Sequence, residues 1–195
     1  MKYGDITFGQ MEAIINKLGG MDGVKRLLSG ELVVKMVGRS FAIWQTITIG
    51  INKSPSAYRE ALKANGYHIG DYADQILKRM KVSETEVQID LVVMTVAELG
   101  FKGGVRRDAI YARAIELGLE LCPAEVGPAL RLAYQDQPYG EWLRIAMEPI
   151  SDSGDFLEVF GVDRGGDERW LHGSYVDPDY FWGAGGRWVF VAPRK

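Results

Sequence analysis

The stretch Phe156–Val191, FLEVFGVDRGGDERWLHGSYVDPDYFWGAGGRWVFV, decides the fold class. FLEVFGVD and ERWLHGSY carry β-branched and aromatic residues with a period of two, as half-buried strands do. Asp163-Arg-Gly-Gly-Asp167 between them has the turn chemistry of a hairpin loop. RWVFVAP (187–193) is a further strand, and EWLRIAME (141–148) precedes them all. The pattern predicts a four-stranded antiparallel meander at the C-terminal end, with a short helical turn in the DPDYFWGAGG link. One third of the aromatic residues lie between Trp170 and Phe190, among His172, Asp177, Asp179 and Arg187. On a strand Trp170, His172 and Ser174 share one face, and Trp188 and Phe190 share another. A meander covered by helices on one side cannot bury both sets. Some of the rings are therefore expected at a surface, where rings beside polar groups recognise other molecules; the alternative is that Tyr180, Phe181 and Trp182 of the DPDYFW link fold back as a lid and close a second small core. Trp170, His172, Asp179, Tyr180, Trp182, Arg187 and Trp188 are the expected binding residues, for a protein or peptide partner.

Upstream the period changes. Thr7 and Gln10 form a capping box, and Phe8, Met11, Ile14, Ile15 and Leu18 recur at helical spacing up to Gly19-Gly20. Asp22 can cap a second helix that ends at Gly30. Glu31–Val37 and Phe41–Gly50 read as strands. Ser54-Pro55-Ser56 opens a helix that runs to Ala64 and stops at Gly66. Asp71–Met80 reads as a helix burying Tyr72, Ile76 and Leu77 or Met80, and Thr85–Met94 as a strand. Thr95 and Glu98 form another capping box, Arg107–Leu117 reads as a helix, and Pro123 opens a third in which Gly127-Pro128 predicts a kink or a late start. The fold class is α+β, a helix-rich N-terminal region with a few strands packed on the meander. Segments 1–94 and 95–195 are expected to form one compact unit.

Composition excludes several classes. Apolar residues make up 47% and charged residues 25% of the chain. That is a globular balance rather than a disordered one. The net charge of −3 gives no overall pull toward nucleic acid or acidic membranes. Cys122 stands alone, so no internal disulfide and no multi-cysteine zinc site forms, and a reducing, cytoplasmic compartment fits. No apolar run is long enough to cross a bilayer, and no membrane partner is expected.

TVAELGF, DAIYARAIELGLELCPAEVGP, LRLAY, GEWLRIAMEPI and RWVFVAPRK, with the opening FGQMEAIINKLGGMDGVKRLLSGELVV, resemble a group of small bacterial proteins without an assigned activity. The resemblance implies a bacterial origin and an intact single-gene product. It carries no functional residue.

Two other readings compete with the binding surface. Residues 95–150, in the order helix, helix, helix, strand, strand, resemble a winged helix, which would bind nucleic acid through Arg106, Arg107, Arg113 and Arg131. An enzyme would combine His172 with Asp177 or Asp179. His68, Asp71 and Asp74 have a spacing that does not converge on one ion when helical, so no metal is expected. Cys122, between Leu121 and Pro123, reads as a small buried hydrophobe. The carboxylates Asp152, Asp155, Asp163 and Asp167 read as turn residues. The paired glycines fit no phosphate loop, and no cofactor is expected.

Overall fold

The computed structural model describes residues 6–33 and 41–193. The chain divides into two compact units, Met1–Gly38 and Arg39–Lys195. In the first, helices α1 (Phe8–Lys17) and α2 (Gly20–Leu28) form a hairpin. The capping box at the head of α1 is present in both halves: Thr7 accepts from the Gln10 amide, and the Gln10 side chain accepts from the Thr7 amide. Helix α2 begins earlier than its Asp22 suggests. Its cap is Gly19 at φ 90°, a left-handed turn. Glycine adopts that conformation without steric cost. Residues 34–37 of the strand expected at Glu31–Val37 lie outside the described residues, and Glu31–Val33 is not a strand.

The second unit begins with β1 (Gln45–Ile49), α3 (Pro55–Ala64), β2 (His68–Ile69) and α4 (Asp71–Arg79). Next come β3 (Val87–Thr95), β4 (Val105–Arg106), α5 (Arg107–Glu116) and α6 (Val126–Ala133). The chain ends in β5 (Trp142–Ile145), β6 (Ile150–Ser151), β7 (Leu157–Gly165), β8 (Glu168–Tyr175), β9 (Phe181–Trp182) and β10 (Arg187–Val191). The class is α+β, and the sheet is a curled, mixed one. Ser54 caps α3 by accepting from the Ala57 amide, with Pro55 at the first helical position. Helix α4 buries Ala73, Ile76 and Leu77, while Tyr72 stays outside at 54% exposure.

The sheet order is β1-β3-β10-β5-β7-β8-β2, with β6 on the flank of β7. The expected meander is therefore interrupted. β5, β7 and β8 are antiparallel neighbours, but β10 inserts between β3 and β5, antiparallel to the first and parallel to the second. The physical reason is burial. β10 reads RWVFV with its last four residues buried, and only a central position covers both of its faces. Residues 45–95 and 142–191 are interleaved through this one sheet.

The capping box at Thr95 forms, with Glu98 accepting from the Thr95 amide at 2.7 Å, but it opens a turn rather than a helix. Gly100 turns left-handed at φ 102° and the Phe101 amide returns to the Val96 carbonyl. A left-handed glycine of this kind ends the turn at once. Helix α6 starts late, at Val126, as Gly127-Pro128 suggested. The DPDYFWGAGG link makes strand β9 against β4 in place of a helical turn.

Helices α3, α4 and α6 form a layer on one face of the sheet. Helix α6 lies so close to β7 that a methyl group on Gly127 would come within 2.5 Å of Phe160. Helix α5 packs on the other face, where Tyr111 meets Trp188 and Phe190 edge-on at 5.7 and 6.5 Å. Among the described residues no helix is long and apolar enough to cross a membrane.

Candidate functional site

Strand alternation assigns each side chain to a face. Phe160 and Val162 point at α6, so Gly161 and Asp163 point away from it. The register puts His172 opposite Gly161 and Trp170 opposite Asp163 on β8, and Trp142 opposite Asp163 on β5. His68 on β2 lies beside Trp170. Four rings from three strands thus stand in one row across the sheet. His68 stacks on Trp170 at 4.6 Å, Trp170 on His172 at 5.1 Å, and His172 on Trp142 at 5.6 Å. The row continues into Arg144, whose guanidinium lies 5.3 Å from the Trp142 ring and 4.5 Å from that of Trp182.

Helix α5 and the β4–β9 ribbon cover one end of this face and leave the row partly open. Trp142 is 42% exposed, His68 is exposed, and Trp170 and His172 are half-buried. Gly161 is needed where it stands. A methyl there would lie 2.8 Å from Trp142 Nε1 and 3.3 Å from Ser174 Oγ. Only glycine lets the indole settle onto the strand.

His172 has a carboxylate neighbour, though not either of the aspartates expected. Its Nε2 is 3.2 Å from Asp163 Oδ1. Burial pushes the Asp163 carboxyl above the usual carboxylate range, against the opposing pull of His172 and Arg131. Asp177 instead accepts from the Tyr175 hydroxyl and the Asp179 amide, and Asp179 pairs with Arg106 at 3.0 Å. Ser174 Oγ, two residues along the strand, is buried without a partner among the described residues. It is no nucleophile for His172, because Nε2 faces Asp163 and Nδ1 faces Gly70, where a methyl would come within 3.0 Å. A nucleophile needs its base within hydrogen-bond reach.

The seven expected binding residues separate. Trp170 and His172 belong to the open row, and Tyr180 is 56% exposed. Trp182 and Trp188 are corrected to core positions. Trp188 is fully buried and Trp182 is 7% exposed, packed edge-on at 5.2 Å. The central placement of β10 puts Trp188 under α5 and β9. Arg187 donates to Glu141 at 2.6 Å, and Glu141 also accepts from Tyr134. Asp179 is exposed at the far side of its pair with Arg106. The sequence reading missed Trp142 and Arg144, and it placed Asp163 in a turn and His68 only in a spacing that holds no ion. EWLRI carried a signal for the first two, since Trp142 and Arg144 share a face by alternation, but their neighbours on β2, β7 and β8 depend on strand order.

The winged-helix arrangement is absent, since residues 95–150 hold two helices and β5 belongs to the central sheet. Arg131, expected on a recognition helix, is fully buried and donates to Gln137 Oε1 and to the carbonyls of Tyr134 and Asp163. Arg107 lies over the Tyr111 ring, and Arg113 bonds the Leu99 carbonyl and Glu116. Arg106 is exposed between Asp179 and the Phe181 ring. These cations do not form one basic face.

His68, Asp71 and Asp74 do not converge. His68 is 3.6 Å from Glu168, and Asp74 is held by Arg59 and Lys78. Cys122 is buried, and burial pushes its thiol well above the ordinary range. A separate cavity of about 300 Å³ between β1 and α6 is lined by Thr46, Thr48, Tyr58, Ala129 and Leu132. Its titratable group, the Tyr58 hydroxyl, is already committed to Glu125. No family model, no curated protein and no solved structure matches the chain.

Proposed function

We propose that this protein is a non-enzymatic binding module of the bacterial cytosol, and that the row His68, Trp170, His172, Trp142 is its contact surface for a protein or peptide. The observation that carries the reading is the stacking of these rings on the side of the sheet that α5 leaves partly open. Rings held by one another lose little side-chain freedom when a partner covers them, so more of the apolar contact is retained as affinity. Large partly exposed indoles are the residue type that dominates interface energetics. Arg144, at the end of the row, supplies the orienting charge expected of Arg187, which is occupied by Glu141.

Affinity capture from a native bacterial cytosol tests the reading, with nucleic acid analysed beside protein. The baits are wild type, Trp170→Ala, Trp142→Ala and Ile115→Ala, the last an exposed apolar residue on α5. Circular dichroism and thermal unfolding show that each bait is folded. We expect one protein or peptide retained by wild type and Ile115→Ala and lost from both indole variants. The same set of molecules on all four baits, or nucleic acid alone, would remove the proposal.

A further inference from the structure

The end of the β7–β8 hairpin carries a group of cations on the face toward α6, opposite the ring row. Arg164 and Arg169 are direct cross-strand partners, and alternation places Arg164 on the same face as Phe160 and Val162. Like charges directly opposite on a sheet repel. A third cation lies behind them: Arg131 of α6, fully buried, with its guanidinium 5.2 Å from the Tyr67 ring. The Nε atoms of all three arginines are sealed from solvent and have no acceptor among the described residues.

No nearby carboxylate bridges the three arginines among the described residues. Asp163 points to the other face beside His172, from where its charge still favours that of Arg131, Glu168 is engaged with His68 and the Trp170 indole, and Glu141 holds Arg187 and Tyr134. Asp136 and Asp167 are exposed and bridge none of the three. Two of the arginines have structural work. Arg131 and Arg164 both hold Gln137, through its side-chain oxygen and its carbonyl. Arg169 makes no hydrogen bond and no ion pair among the described residues, so no polar contact within them calls for an arginine there. Burial brings the Arg131 guanidinium down to about 10, with Tyr67 opposing the fall, the Arg169 charge adding to it, and Asp163 and Tyr134 opposing it further.

We propose that Arg164 and Arg169, backed by Arg131, bind an oxyanion, the phosphate or carboxylate group of a small ligand, which bridges the two half-buried guanidinium groups. Planar N–H forks match such groups in pairs, and charge-assisted bonds to them are the strong kind. The site lies on the face away from the ring row and does not depend on the reading of that row.

The test is calorimetric titration of the full chain with inorganic phosphate and, separately, with succinate, against sodium chloride at matched ionic strength. Wild type is expected to bind at least one of them saturably, and the one bound names the group. Arg169→Gln should weaken that binding at least tenfold, and Arg169→Lys should weaken it less. Because Arg169 holds no other residue, both variants should fold. Without anion, Arg169→Gln should unfold at the same temperature as wild type or higher, since one repulsion is gone. No saturable binding of either anion beyond the chloride control, or equal binding by Arg169→Gln, overturns the proposal.

Discussion

Replacing Glu125 should show how much of the second unit hangs on one buried carboxylate. Glu125 is 1% exposed and stands just before α6. Its Oε1 accepts from the Gly50 amide and the Tyr58 hydroxyl, and its Oε2 from the Ser83 amide, each at 2.7 Å. The group thereby ties the end of β1, helix α3 and the segment before β3 to α6. Burial, and then the bond to Glu125, push the Tyr58 phenol far above its ordinary range. Glu125→Ala leaves two buried donors, at Gly50 and Tyr58, and a third at Ser83 that water reaches more readily. At about 1–3 kcal/mol for each buried donor left unpaired, the loss is about 3–5 kcal/mol. Glu125→Gln keeps one oxygen for Gly50 and Tyr58 but turns an NH₂ toward the Ser83 N–H, at a cost of about 1–2 kcal/mol. Tyr58→Phe removes one donor and leaves the other two paired, at a cost of about 1 kcal/mol. In the double variant Glu125→Ala/Tyr58→Phe the orphaned hydroxyl is gone, so the loss should fall short of the sum of the single losses. Urea unfolding followed by tryptophan fluorescence measures all four, with an unchanged slope confirming a common transition. A loss below about 1 kcal/mol for Glu125→Ala, a Gln variant as damaging as the Ala variant, or strict additivity in the double variant would refute the reasoning.

Two further outcomes follow from buried groups. Glu158 is 3% exposed with Oε2 unpaired among the described residues, and burial followed by the Asp152 charge raises its carboxyl to about 7. A carboxyl raised on folding adds stability that is complete below its unfolded value and lost as pH climbs through 7. Wild type should therefore lose about 2–3 kcal/mol between roughly pH 4.5 and 7.5 from this group, a loss that Glu158→Gln escapes in parallel urea series at the two pH values. Equal pH slopes for the two proteins would contradict this. Cys122 Sγ donates to the Val189 carbonyl at 3.3 Å inside the core. An aromatic disulfide reagent should therefore leave native protein unmodified at pH 8 and titrate one thiol after unfolding. Rapid labelling of the native chain would show that the thiol is reachable.

Local features were legible without coordinates because they are settled within a few residues. The Thr7 box, the Ser54-Pro55 start of α3, the late start of α6 and the DRGGD hairpin depend on caps and turn chemistry close at hand. The alternation of ERWLHGSY likewise placed Trp170 and His172 on one face. The Thr95 box shows where local reading ends: its hydrogen bonds formed, but Gly100 closed the segment after a turn.

Beyond the β7–β8 hairpin, tertiary structure decided which strands became neighbours. Only after β10 inserted between β3 and β5 did Trp188 become core and Arg187 meet Glu141. The ring row needed β5 and β8 on either side of β7, with β2 beyond β8, and the arginine group needed α6 laid across the β7–β8 hairpin. Caps and periods belong to a few adjacent residues. Strand order is chosen by the apolar surface that the whole sheet can hide, a sum over segments scores of residues apart that no single segment contains.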